Sequence, residues 1–296
     1  MSSPSPSRPF VLVNPRSGDQ SPTTAELVQR AEELGIEARV LETGDDADAL
    51  AREASDRGAD ALGMAGGDGS LSSVAAVALE RDVPFVCIPF GTRNHFARDL
   101  GLDPDDPFAG LLAFQGEERR VDLGRVNGEA FMNNVSLGVY ASFVHDPARK
   151  TRNRVMAFLR MVPAALGRSR RPIAVSLEAA GRREEHLALV VLVSNNDYRM
   201  SSMADLSERS RLDEGRLHAY VIEAVDRKVL LRLLARAVAG DIEEAAGWVE
   251  WAAPRIRVEH PRSEVHAAVD GDPAVLSSPL EFEIEPRGLR VLVPTS

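Results

Sequence analysis

Gly66-Gly67-Asp68-Gly69-Ser70 stands between the apolar run Ala61-Leu62-Gly63-Met64-Ala65 and the small-residue segment from Leu71 to Leu79. That order predicts a strand, a glycine turn and a helix. Three glycines leave backbone N–H groups uncovered at a helix N-terminus, where the dipole favours an anion. Asp68 would repel that anion unless a cation or a hydroxyl proton came between them. The turn therefore points to phosphate chemistry accompanied by a metal ion.

Outward from this turn, the first half of the chain alternates strand and helix. Phe10 to Val13 reads as a strand ending at Asn14-Pro15-Arg16-Ser17-Gly18, and helical periodicity follows from Thr23 to Leu34 with Gly35 as a C-cap. Ile36 to Leu41 reads as a second strand and Asp48 to Arg57 as a second helix. Val83 to Ile88 is a further strand, leading into Pro89-Phe90-Gly91-Thr92-Arg93-Asn94. Such alternation predicts a doubly wound parallel sheet of Rossmann-like type, with ligands at the carboxyl ends of its strands. The turns at 14–18, 66–70 and 91–94 all fall at those ends. Any one of them serves an α/β fold as a tight connection. Three together, mixing glycine with Ser, Thr or Asn donors, point to one shared ligand. Neither G-x-x-x-x-G-K-[ST] nor G-x-G-x-x-G occurs, and no lysine lies nearby. Backbone amides, hydroxyls and Arg16 or Arg93 would have to hold a phosphate.

Composition sets limits on the rest. At 296 residues the chain exceeds the usual single domain, so two domains are expected. Hydrophobic residues at 44% and charged residues at 27% are ordinary globular values. A net charge of −10 argues against nucleic acid as a partner. Cys87, the sole cysteine, excludes an intramolecular disulfide and reads as an inert core thiol within Val83–Pro89. No apolar run approaches the ~20 residues of a membrane span. The Ser/Pro-rich start from Met1 to Pro9 lacks a signal-peptide core, so a cytoplasmic location is expected.

These residues resemble the diacylglycerol kinase catalytic-domain family of bacterial lipid kinases, which is related to NAD kinases. Asn14-Pro15-Arg16-Ser17-Gly18 looks like its N-P-x-[SA]-G, Gly66 to Ser70 like its G-G-D-G-[TS], and Pro89 to Asn94 like its P-x-G-T-x-N. Val121-Asp122-Leu123-Gly124-Arg125-Val126-Asn127-Gly128 is similar to the strand opening its second domain. Arg211-Leu212-Asp213-Glu214-Gly215-Arg216-Leu217 resembles its D-D-G-x-L metal segment, and Asp270-Gly271-Asp272 its D-G-E. The matches keep the family's order along the chain.

The resemblance implies an ATP-dependent kinase acting on a hydroxyl of diacylglycerol or a related lipid alcohol, with Mg2+ as the second cofactor. It implies an NAD kinase-like nucleotide-binding α/β domain over 9–121, joined by a returning 286–296. A β-sandwich domain for the lipid substrate then covers 122–285. Short runs at Ile173–Leu177, Leu187–Val193, Leu217–Ile222, Ile256–Val258 and Leu280–Ile284 agree with an antiparallel sandwich, and Leu289–Val293 with a closing strand. Helical pattern is confined to Val155–Leu166 and Arg227–Gly240.

Carried over by residue, Asn14, Pro15, Arg16, Ser17, Gly18, Gly66, Gly67, Asp68, Gly69, Ser70, Gly91 and Thr92 would line the ATP site. Thr43 is a weaker member. Asp68 would bear on the nucleotide magnesium, with Asp122 near it. A structural magnesium would fall on Glu214 with Arg211 and Arg216, or on Asp213 as the alternative. Asp272 would accept the substrate hydroxyl's proton. The family's habits are compatible with a homodimer.

Four positions depart from the pattern. Ser73 stands for a glutamate, His95 for an aspartate, Glu214 for an aspartate and Asp272 for a glutamate. Shortening a carboxylate by one methylene matters, because a ~1 Å misplacement can cost ~10²-fold in rate. A backbone that compensates, a soluble-acceptor kinase of NAD type and a weakened nucleotide-binding or regulatory relative all stay open. Arg149, Lys150, Arg152, Arg154, Arg160, Arg168, Arg170 and Arg171 crowd 149–171 without an acid. That window reads either as a helix covering the sandwich core or as a peripheral contact with the inner membrane surface.

Overall fold

Short apolar runs closed by turns build the first part of the chain. The computed structural model describes residues 5–17, 22–91, 94–138, 172–198, 209, 211–223 and 247–295. Gly18, Thr92, Arg93, the two helical patterns at 155–166 and 227–240 and the basic window 149–171 lie outside the described residues.

The chain opens with strand β1 (Pro9–Val13), helix α1 (Thr24–Glu33), β2 (Glu37–Val40) and α2 (Ala47–Asp56). β3 (Ala61–Gly66), α3 (Asp68–Glu80), β4 (Phe85–Pro89), α4 (His95–Asp99) and α5 (Pro107–Leu112) follow, and a single 3₁₀ turn precedes β5 (Glu117–Val126). Thr23 starts α1 through a capping box, its side chain bonding the Glu26 N–H while Glu26 reaches back to the Thr23 N–H. Leu27 and Ala31 bury the inner stripe of this helix. β3 is buried at every position, as expected of a central parallel strand covered on both faces. The order β2-β1-β3-β4 is parallel throughout, with Val13 opposite Val40 and Ala65, and Ala65 opposite Ile88.

The remaining strands are β6 (Glu129–Phe131), β7 (Asn134–Gly138), β8 (Ile173–Ala179), β9 (Arg182–Asn195), β10 (Leu217–Glu223), β11 (Trp248–Ala253), β12 (Arg255–Glu259), β13 (Glu264–Val269), β14 (Asp272–Ser277) and β15 (Leu280–Val293). Apart from the end of β15, their pairing is antiparallel. The long β9 takes β8 along its first half and both β7 and β10 along its second. Alternating inward residues, among them Val135, Leu177, Val193, Ala219, Ile256 and Phe282, share one apolar core. Phe131 meets Phe282 edge-on within it, with ring centroids 6.2 Å apart. The fold is thus an N-terminal parallel α/β sheet followed by an antiparallel β-sandwich. Its two compact units comprise 1–123 with 285–296, and 124–284.

One expectation needs correction. Residues 280–293 form one strand, not separate runs at 280–284 and 289–293. Arg287 adopts φ +50° in the middle, and its N–H donates to Asp122 Oδ1 at 2.7 Å, so the irregularity is held inside the strand instead of breaking it. The end of β15 pairs in parallel with β4, Val291 opposite Phe85, and so completes the first unit's sheet.

Candidate active site

Parallel pairing places the ends of β1, β3 and β4 at one edge of the first unit's sheet, and the three turns follow those ends. Asn14 ties the first turn to the second twice: its N–H donates to Ala65 O at 2.9 Å and its side-chain amide to Ser70 Oγ at 3.0 Å. Its Oδ1 also accepts the Arg16 N–H at 3.1 Å, closing the 14–17 turn. The second and third turns touch through backbone. A methyl group built on Gly91 would lie 2.5 Å from Gly67 Cα and 3.0 Å from Gly67 N, so only glycine permits this approach.

Asn94 organises the third turn from a left-handed conformation, φ +48°. Its Oδ1 accepts the Gly91 N–H, and its amide donates to Gly91 O and Pro104 O, each at 2.9 Å. Asp68 completes the junction. It is 6% exposed, and its two oxygens accept the N–H groups of His95 at 3.2 Å and Phe96 at 3.1 Å. Those donors are the first two of α4, so Asp68 caps that short helix from across the sheet edge. Nothing in the spacing of Asp68 and His95 announces this duty.

α3 begins at Gly67 with no side-chain cap. The Asp68 and Gly69 amides at its start therefore have no capping side chain competing for them, as an anion site needs. Gly66 is buried, while Gly67, Gly69, Ser70 and Ser73 are half-buried. Pro15 and Arg16 are exposed and Ser17 half-buried. Thr43 lies exposed in the turn after β2, and no hydrogen bond joins it to the three turns among the described residues. Asp122, also in this unit, is buried and takes the Arg287 N–H.

The second unit carries the remaining candidates. Arg211 bonds Asp213 Oδ1 through both Nε and Nη2 at 3.0 Å. Glu214 is half-buried: its N–H donates to Asn196 Oδ1 at 3.1 Å and its Oε2 accepts the Asp197 N–H at 3.4 Å. The Arg216 carbonyl accepts the Asn196 N–H at 3.1 Å. Asp270 and Gly271, at φ +49° and +88°, form the two-residue turn of a hairpin between β13 and β14. Asp270 accepts N–H groups from Met132, Asn133 and Asn134 at 2.8, 2.8 and 3.1 Å. Asp272 is the exposed first residue of β14.

Sequence reasoning missed several residues here. His218 has Nδ1 3.1 Å from Glu250 Oε1 and 3.8 Å from Asp197 Oδ1, and its Nε2 is 3.5 Å from Glu214 Oε2. Burial lowers its pKa, but the Glu250 hydrogen bond and the surrounding carboxylates win, and the net shift is upward. Tyr220 donates to Asp197 Oδ1 at 2.7 Å, and burial with that bond pushes its hydroxyl pKa up. Asn195, Asn196 and Arg209 were also passed over. The available signal was polar residues inside runs that are otherwise apolar, as at Met132-Asn133-Asn134-Val135 and Val193-Ser194-Asn195-Asn196.

Three apposed glycine-bearing turns on a parallel α/β unit, with an antiparallel sandwich after it, define a protein of the NAD kinase-like class. Residues 8–126 match the diacylglycerol kinase catalytic domain, and residues 133–293 match the YegS C-terminal NAD kinase beta sandwich-like domain. The chain belongs to the diacylglycerol kinase catalytic-domain family, the family of the bacterial lipid kinases. It is 30% identical over 295 residues to a protein named diacylglycerol kinase from Mycobacterium tuberculosis, covering 96% of this chain and 94% of that one. It is 31% identical over 305 residues to a YegS-like lipid kinase from Pseudomonas aeruginosa, covering 96% and 93%. A solved structure described as a diacylglycerol kinase from Bacillus anthracis shares the fold, with a TM-score of 0.71 at 17% identity over 98% of each chain.

Proposed function

We propose that this family member is an ATP-dependent kinase that transfers the γ-phosphoryl group to a hydroxyl of diacylglycerol or a related lipid alcohol. The observation that carries the reading is the apposition of the three turns through Asn14–Ser70, Gly67–Gly91 and Asp68–α4. In it, Asn14 to Gly18, Gly66 to Ser70, Gly91 and Thr92 hold the nucleotide through amides and hydroxyls. Arg16 supplies the positive charge that a lysine gives elsewhere.

The residues fit a divalent ion at two places. Asp68 is fixed by one N–H on each oxygen, which leaves each oxygen a further lone pair. Glu214 is oriented by the Asp197 N–H and by His218, the outer partners that a ligating carboxylate needs, while Asp213 is engaged by Arg211. Glu214 with the carbonyls of Arg211 and Arg216 is therefore the better set, with Asp122 assisting Asp68. Bound Mg2+ neutralises phosphate charge as it shifts during transfer. Asp272 accepts the proton that the lipid hydroxyl loses. The basic residues of 149–171, in a chain of net charge −10, support substrate capture at an anionic membrane surface.

Incubation with radiolabelled ATP and a mixed lipid extract tests the reading. Labelled lipid from the wild type, lost in Asp272→Asn at unchanged ATP affinity, supports it. ATP binding without any labelled product would leave a regulatory relative instead. Flotation with anionic and neutral vesicles tests the surface contact, which fails if neither vesicle binds.

A further inference from the structure

We propose that Arg209 is a positioning residue that couples the 211–216 segment to the hairpin carrying Asp272. The inference rests on the role given to Asp272 above. Arg209 is 6% exposed, deep in the second unit. Its Nη1 donates to Met132 O at 2.6 Å and Asn195 O at 3.0 Å, and its Nη2 donates to Asn133 Oδ1 at 2.9 Å. The guanidinium carbon stands 5.7 Å from the centre of the Tyr198 ring, which it overlies. A buried guanidinium needs such complete engagement, and its fixed fork delivers three bonds that a lysine ammonium cannot make in one plane.

Two of these three bonds reach the Met132–Asn134 turn, whose N–H groups point the other way to Asp270. The Met132–Asn133 peptide thus lies between a cation on its carbonyl side and an anion on its N–H side. Each ion fixes the dipoles that the other reads. Asp270 is the first residue of the two-residue turn that delivers Asp272, so a shift of 132–134 reaches Asp272 through one carboxylate. On the opposite side, Asn195 bonds the same turn through its N–H to Asn133 O at 2.9 Å and its amide to Met132 O at 3.1 Å. Asn196, next in the chain, grips Glu214 N and Arg216 O. A continuous run of polar contacts thus leads from the 211–216 segment, through Asn196, Asn195 and Arg209, to the 132–134 turn and Asp270.

Arg209→Lys and Arg209→Met, made in the full chain, test this with two readouts. The first is lipid phosphorylation: kcat should fall on the order of 10²-fold with the ATP KM unchanged, because the nucleotide turns lie in the other unit. Guanidinium ion at millimolar levels should restore part of the rate to Arg209→Ala and none to Asp272→Asn. The second is hydrogen exchange, which needs no activity: amides at 132–134 and 270–272 should exchange faster, and those of 61–91 should not change. Wild-type kcat in Arg209→Met, a parallel rise in ATP KM, or unaltered exchange at 270–272 would overturn the coupling. If the wild type phosphorylates no lipid, the functional reading falls, while the exchange result still decides whether Arg209 holds the hairpin.

Discussion

Alanine at Gly91 should damage nucleotide use far more than alanine at Gly67, although the two glycines form a single contact. The added Gly91 methyl lies 2.5 Å from Gly67 Cα, 2.9 Å from Asn94 Oδ1 and 3.0 Å from Gly67 N. Carbon atoms settle at about 3.5–4.0 Å, so the turns must part by roughly 1 Å. Asn94 cannot swing aside, because its amide is tied to Gly91 O and Pro104 O. A methyl on Gly67 instead meets nothing closer than Gly91 Cα at 3.9 Å, an ordinary contact. Overpacking of this kind costs about 1–3 kcal/mol, and a ~1 Å displacement on the order of 10²-fold in rate. Initial rates of lipid phosphorylation at subsaturating ATP, with melting curves beside them, measure both effects. We expect a large fall in kcat/KM for ATP in Gly91→Ala and a small one in Gly67→Ala. Equal effects of the two, or an unchanged ATP KM in Gly91→Ala, would refute the claim that turn apposition shapes the nucleotide site.

Asp68→Asn should lose stability as well as activity. One α4 amide then faces an amide N–H2 instead of an oxygen, costing about 1–3 kcal/mol in urea unfolding, and wild-type stability would contradict the cap. Asp60 gives a pH signature. Burial raises its pKa, but the Ser7 N–H, the Ser7 hydroxyl and the Arg8 N–H hold it below the ordinary carboxylate value. Its stabilisation is therefore present above the unfolded pKa of about 3.9 and lost as pH falls through the folded value. The gap in urea midpoint between wild type and Asp60→Asn should narrow from pH 7 to pH 3, and a constant gap refutes the account. Burial, aided by Asp68, pushes the Cys87 thiol pKa well up. Thiol reagents should label it only after unfolding, and rapid labelling of the native protein would contradict its place in β4.

The first unit was legible because its punctuation is local. Gly35, the Thr23–Glu26 box and the glycine turn each act within a few residues of the element that they end or begin. The sandwich was less so. β13 and β14 pair as Glu264 to Val269 against Asp272 to Ser277, where Val275 stays exposed and Pro273 weakens the strand pattern. Pro286-Arg287-Gly288 resembles a loop between two runs, yet the Arg287 N–H bonds Asp122 and β5 pairs with β15, so the stretch stays within one strand. The same contrast holds at the site. Glycine motifs showed themselves, whereas Asn195, Asn196 and Arg209 act through partners 14 to 77 residues away. Such contacts leave no spacing to read.

Which hydroxyl receives the phosphoryl group decides the proposed function. Diacylglycerol in mixed micelles and NAD should be offered side by side, with Mg2+ and labelled ATP, to the wild type and to Asp272→Asn. Label should appear in phosphatidic acid from the wild type alone. Label in NAD, or ATP consumption that leaves both acceptors unlabelled, would contradict that function.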